Sequence, residues 1–128
     1  MMLRRSRKAS EAFAERRRVE DEAQRLAAVA PQLLSLRLEI EEDRGGAIAS
    51  EVKHVRHVVV AYAPALFVFP CGDDACKNGG HDMTYAVLNE LRGRVETFAL
   101  EDACYGDVGS APCGLVVHVT GKAAYRAP

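Results

Sequence analysis

The chain has 128 residues, of which 48% are hydrophobic and 27% charged, and its formal net charge is −1. These proportions are typical of one soluble globular domain, and no apolar run approaches the roughly 20 residues that cross a bilayer, so we expect no membrane partner. The basic N-terminus is followed by further charge rather than by an apolar segment, which does not fit a secretory signal and predicts a cytoplasmic location.

Residues 1–31 are predicted to form a charged N-terminal arm. Seven basic residues against two acidic ones give positions 1–18 a charge of +5. From Ser10 to Ala30 the sequence favours helix, contains no glycine and is stopped by Pro31, which predicts one helix. We expect this helix to bind another protein, and nucleic acid is a less favoured partner. The alternative is that the segment is a solvated tail without a partner. The arginines assigned to that contact are Arg4, Arg5, Arg16, Arg17 and Arg18.

Residues 32–128 are predicted to form a single domain that begins with strands. Leu34, Leu36, Leu38 and Ile40 alternate with polar residues, which indicates a strand with one buried face. A second extended region, residues 54–69, contains two β-prone stretches on either side of Pro64. We interpret the first strand and this region as a long antiparallel hairpin that leads into the first cysteine loop.

The helix with the clearest sequence signals covers residues 82–92. Asp82 is a suitable N-cap, and Gly93 is a natural stop. Its apolar face consists of Met83, Val87, Leu88 and Leu91. Strands are predicted at residues 95–100 and 115–119, with a turn or bulge at Gly121-Lys122, after which Ala123 to Arg126 continues the pairing. The resulting order, α-β-β-α-β-β, predicts an α+β fold with a mainly antiparallel sheet and helices on one face.

Four cysteines lie in two glycine-rich loops that follow strand ends, and in a reducing compartment such cysteines more often bind metal than form disulfides. Cys71 and Cys76 belong to the first loop, and Cys104 and Cys113 to the second. Zn²⁺ takes four thiolates tetrahedrally when two short loops approach each other, so these four residues are the predicted ligands. Two alternatives stay open: a set in which His81 replaces one cysteine, and four free thiols without metal.

The cysteine region, residues 69–115, resembles zinc-ribbon-like cysteine-knuckle modules. Those modules usually carry C-x2-C pairs, whereas four and eight residues separate the pairs here. Residues 66–126 are also similar to thioredoxin-like [2Fe-2S] ferredoxins, which have two cysteines near the first strand and two before the closing hairpin. That second resemblance implies electron transfer, although the cysteine spacings again differ from those of the family.

No local motif indicates an enzyme. Cys71 with His81, or Cys113 with His118, can be drawn as a nucleophile and a base, but neither pair carries a known signature. Phosphate-loop and nucleophile-elbow motifs are missing from the sequence. The sequence therefore predicts a small protein stabilised by structural Zn²⁺ that acts as an interaction module, with an iron–sulfur redox protein as the alternative.

Overall fold

The computed structural model describes residues 14–15, 17–20, 22–43, 53–73 and 75–128. Residues 14–15, 17–20 and 22 are helical. The elements that follow are α1 (Leu26–Val29), β1 (Leu33–Asp43), β2 (Lys53–Val58), β3 (Val68–Phe69), β4 (Cys76–Lys77), β5 (His81–Asp82), α2 (Thr84–Arg92), β6 (Thr97–Ala103), β7 (Asp107–Val108), β8 (Ala111–Pro112) and β9 (Val116–Tyr125).

The main sheet has four strands in the order β2-β1-β9-β6, all paired antiparallel. One face of its two central strands is apolar and buried, because alternate residues of a strand point to the same side. The buried residues of this face are Leu36, Leu38, Ile40, Val117 and Val119. They form one hydrophobic cluster with Val87, Leu88 and Leu91 of α2 and with Leu26 of α1. The predicted combination of helices with antiparallel sheet is therefore confirmed.

The prediction of one continuous helix from Ser10 to Ala30 is wrong. Arg25 is extended, with φ −76° and ψ 141°, and forms a β-bridge with Pro64. The N–H of Leu26 donates to the carbonyl of Ala63 at 2.9 Å, and Ala65 donates to Gln24 at 2.7 Å. These long-range hydrogen bonds outweigh the local helix propensity at this point. Only four helical residues, Leu26–Val29, follow the interruption.

The alternation in β1 does not start where the sequence indicates. Leu33 pairs with Tyr125 and Ser35 pairs with Ala124, so Leu34 is an extra residue that forms a bulge opposite β9. Leu33 is 2% exposed and Leu34 is 54% exposed. The bulge shifts the phase of the strand by one residue, and Leu33 takes the core position that was expected for Leu34.

The first two strands pair antiparallel as predicted, but only Lys53–Val58 of the second extended region belongs to that pairing. β2 pairs with β1 from Leu36 opposite Val58 to Glu41 opposite Lys53, and β3 pairs with β5 in a separate two-stranded sheet. A turn, closed by the N–H of Ala63 donating to Val59 at 2.9 Å, separates the two β-prone stretches. The chain leaves the main sheet at this turn, which allows Phe67 and Phe69 to enter the core.

The central helix and the last two strands lie close to their predicted positions. α2 begins at Thr84, and its N-cap is Met83 rather than the predicted Asp82. Asp82, one residue earlier, still accepts a hydrogen bond at Oδ1 from the N–H of Thr84 at 3.1 Å. The expected apolar face is buried, and Gly93 follows the last helical residue. β6 ends at Ala103 rather than residue 100. β9 runs unbroken to Tyr125, so the turn or bulge predicted at Gly121-Lys122 is wrong: both residues are paired in register with β1 and β6. Both strands are extended by their pairing with each other over seven positions.

The bulge generates a stability prediction. Replacing Leu33 by alanine should lower the free energy of unfolding by about 2–5 kcal/mol because it leaves a cavity in the core. Replacing Leu34 by alanine should change it by only about 0.5 kcal/mol because this side chain is exposed. Urea unfolding of both variants measures the difference. Equal losses would show that both leucines lie in the core.

Candidate metal centre

Short strands bring the two cysteine loops together. Cys76 in β4 lies opposite Val108 in β7. Cys104 follows β6 directly, and its N–H donates to the carbonyl of Leu115 at 2.8 Å. The eight residues between Cys104 and Cys113 form the β7–β8 hairpin, which returns the chain so that the N–H of Cys113 reaches the carbonyl of Gly106 at 2.8 Å. A hairpin therefore accounts for the long second spacing.

The four cysteine sulfurs converge on one point. Their Sγ atoms all lie within 4.8 Å of one another. The Sγ atoms of Cys71 and Cys113 are 3.7 Å apart, and those of Cys76 and Cys104 are 3.6 Å apart. Sulfurs at the corners of a tetrahedron around Zn²⁺ are about 3.8 Å apart for a Zn–S bond of about 2.3 Å. All four are free thiols, and the group has the size that one tetrahedral ion requires.

Backbone N–H groups point at two of the sulfurs. The N–H groups of Gly80 and Gly106 lie 3.3 and 3.4 Å from Cys104 Sγ. The N–H of Asp73 lies 3.5 Å from Cys71 Sγ. In both loops one donor is therefore the residue two positions after a cysteine, so the two turns present the same local geometry. Such hydrogen bonds stabilise negative charge on sulfur and orient metal ligands.

The thiols differ in how their surroundings affect ionisation. Burial opposes ionisation of Cys104, but the N–H donors of Gly106 and Gly80 and the hydrogen bonds from Cys76 and Cys71 together outweigh it, and the pKa of Cys104 is lowered. Burial raises the pKa of Cys71 and of Cys76, and hydrogen bonding to Cys104 raises the pKa of Cys76 further. The surroundings thus favour the thiolate of Cys104 and oppose those of Cys71 and Cys76. A divalent cation supplies the positive charge that stabilises several thiolates together.

Gly79 and Gly106 are where the backbones of the two loops touch. A Cβ on Gly106 would lie 2.6 Å from Cys76 Sγ, and a Cβ on Gly79 would lie 2.6 Å from Cys104 Sγ. Neither distance allows a side chain, so these positions need glycine for space. The useful signal is a glycine two or three positions after a cysteine, as in Cys104-x-Gly106 and Cys76-x-x-Gly79.

His81, the alternative ligand, is not among the converging groups. Its side chain is buried, and Nδ1 lies 3.2 Å from Asp102 Oδ2. Its Nε2 has no hydrogen-bond partner among the described residues. The structure brings together the four cysteines and directs His81 towards β6. The contact with Asp102, which links β5 to β6, was not expected from the sequence.

Only two of the five arginines assigned to partner binding lie among the described residues. Arg4, Arg5 and Arg16 lie outside the described residues. Arg17 and Arg18 are exposed. Arg18 is already engaged on its own helix: its Nη2 lies 2.6 Å from Glu15 Oε1, and its Nη1 lies 3.4 Å from Glu22 Oε1.

A groove of about 320 Å³ opens beside the cysteine loops. Gly79, Gly80 and Tyr105 form its wall on the side of the cysteines, and Phe69 lines it from β3. Glu20, from the helical residues near the N-terminus, lines the same groove. The N-terminal segment and the cysteine loops therefore share one surface.

No family model, curated protein or solved structure matches the chain. Among the described residues, the structure has no helix of sufficient length and apolar character to span a membrane. Fold and site together define a mixed protein of helices and antiparallel sheets in which four clustered cysteines can hold a metal ion.

The contact between the loops predicts the effect of a single methyl group. Gly106→Ala places its Cβ against Cys76 Sγ and the Cα of Gly79, so metal affinity should fall by roughly tenfold to a hundredfold, as for other supports of metal ligands. The matched control is Gly109→Asn in the same loop. A Cβ on Gly109 would meet no other atom within 4 Å, and the φ of +63° at this position is one that asparagine tolerates. Competition with a chromophoric chelator measures both affinities, and equal affinities would contradict the steric argument.

Proposed function

We propose that the protein is a binding module stabilised by one structural Zn²⁺ on Cys71, Cys76, Cys104 and Cys113. The observation that carries the proposal is the convergence of four sulfurs within 4.8 Å. Four thiolates complete a tetrahedral shell and leave no position for water or substrate, which is typical of structural rather than catalytic zinc. The thiolates and their backbone N–H donors form a closed site.

The weak packing of the loops supports a structural role for the metal. Each of β4, β7 and β8 has two residues, and none of those residues is buried. The loops therefore contribute little apolar burial, which is the main source of folding free energy elsewhere in the chain. A metal ion that joins the two loops would supply the missing folding free energy, because metal binding to a site formed only on folding stabilises the folded state.

The binding role is proposed for the surface beside the metal. The groove next to Gly80 and Tyr105 extends to Glu20, so a protein partner that contacts the N-terminal helix also reaches the metal-held loops. The five arginines named above are the proposed partner contacts on the helix. The proposed location is the cytoplasm, where free cysteines stay reduced.

An iron–sulfur protein that transfers electrons is the alternative. Its cluster would use the same thiolates, but a cluster with two or four irons spreads its cysteine ligands around a larger core than one ion does. The mutual distance of at most 4.8 Å favours a single ion. For that reason zinc is the primary proposal.

Metal content tests the proposal directly. Purified protein should contain about one zinc per chain, and cobalt(II) in its place should give the visible bands of tetrahedral thiolate coordination. Cys113→Ser should weaken zinc binding more than about a hundredfold, whereas Ser110→Ala, an exposed change in the same loop, should not alter it. A brown protein with iron and acid-labile sulfide would support the electron-transfer alternative instead.

Chelation should loosen the loops before the core. Removing the metal should increase amide hydrogen exchange in residues 71–80 and 104–114 far more than in β1 and β9, because those central strands are held by the hydrophobic cluster. Mass spectrometry of the zinc-loaded and chelated chain measures the difference. Equal protection in both states would exclude a role of the metal in holding the loops.

A further inference from the structure

We propose that the open face of the four-stranded sheet carries a binding site for the phosphate group of a small molecule. Arg37, His57 and Lys122 form it. The site lies on the face opposite the hydrophobic cluster, and it does not depend on the identity of the metal.

Strand register places the three side chains in one row. Arg37 of β1 lies opposite His57 of β2 and opposite Lys122 of β9. Directly opposite residues of antiparallel strands point to the same face, with Cβ atoms about 4.5–5.5 Å apart. The adjacent Leu36 and Leu38 are buried on the other face, so the row is directed to solvent.

The row borders a depression of about 280 Å³. Ser35 and Ala124, which lie opposite each other in the next row, also line it. Because their side chains are small, the depression lies beside the longer side chains of Arg37 and Lys122. The volume accommodates a phosphate group together with part of the molecule that carries it.

The charge around the depression is positive although the chain as a whole has a formal charge of −1. The described residues that line it include an arginine, a lysine and a histidine but no carboxylate. Like charges directly opposite each other on a sheet repel, and the ion pair of Arg37 with Glu39 offsets part of this repulsion. A bound anion would offset the repulsion between Arg37 and Lys122.

Glu39 orients the arginine. Its Oε1 lies 2.9 Å from Arg37 Nη1 on the same strand. A guanidinium has five N–H donors, and one ion pair of this kind leaves others for a ligand. Arg37 lies between Lys122 and His57 in the row, so donors from three strands border the same depression.

The donor set fits a tetrahedral oxyanion. A guanidinium fork, an ammonium group and an imidazole N–H can each contact a different phosphate oxygen, whereas a carboxylate offers two oxygens only. A long nucleic acid is a poor fit because Glu41 and Glu101 lie on either side of His118 two rows further along the same face. These carboxylates repel a continuous polyanion but leave room for a small one.

The proposal is tested by titrating the zinc-loaded full chain with pyrophosphate, with sodium chloride keeping ionic strength constant, while amide shifts are followed by NMR. Saturable shifts are expected in residues 35–37, 57 and 122–124. Arg37→Gln and Lys122→Gln should each weaken the affinity about tenfold, since each removes a charge-assisted hydrogen bond. Inorganic phosphate should bind the same residues more weakly.

The matched control is Arg56→Gln. Arg56 precedes His57 on β2 and lies opposite Leu38, so it points to the other face while carrying the same charge. This variant should bind pyrophosphate within about twofold of the unchanged chain, because an exposed charge acts weakly over distance in salt. Three outcomes would overturn the proposal: absence of saturable shifts, an equal loss of affinity in Arg56→Gln, or shifts confined to the cysteine loops.

Discussion

The pairing of β1 with β9 is the constraint on which the other features depend. It runs from Leu33 opposite Tyr125 to Asp43 opposite Val116. At one end it places Ala103 of β6 opposite Val116 as well, so Cys104 and Leu115 leave the sheet side by side. The second cysteine loop therefore starts and finishes at a fixed edge of the main sheet. The same register determines which side chains are buried and which form the open face.

Features that depend on local pattern could be predicted from the sequence. The helical period identified the buried face of α2, including Val87 and Leu91. A helix that packs on the core with one side shows this side as an apolar stripe in its own sequence. Residue chemistry pointed to the four cysteines as a group that can hold a metal ion, because thiolates are preferred ligands of ions such as Zn²⁺. The long spacing between Cys104 and Cys113 did not exclude a shared site, since the chain between these two cysteines forms a hairpin.

Features that depend on long-range partners could not be predicted. The bulge at Leu34 exists only relative to the register of β9, and nothing within β1 distinguishes Leu33 from Leu34 as the core residue. The interruption at Arg25 depends on Pro64, whose position is set by the turn before it. His81 has the right residue type for a ligand, but its direction is set by Asp102 on β6.

The metal centre and the adjoining groove are physically coupled. Gly80 donates its N–H to Cys104 Sγ and also lines the groove, and Tyr105 follows Cys104 directly. A change in the bonding of Cys104 would therefore act on the wall of the groove, whereas the hydrophobic cluster beneath the main sheet is formed by other residues. Metal binding by the four cysteines would thus act on a surface more than on the core. For the proposed binding module, the residues shared with the groove are the route by which a closed, non-catalytic ion would influence function.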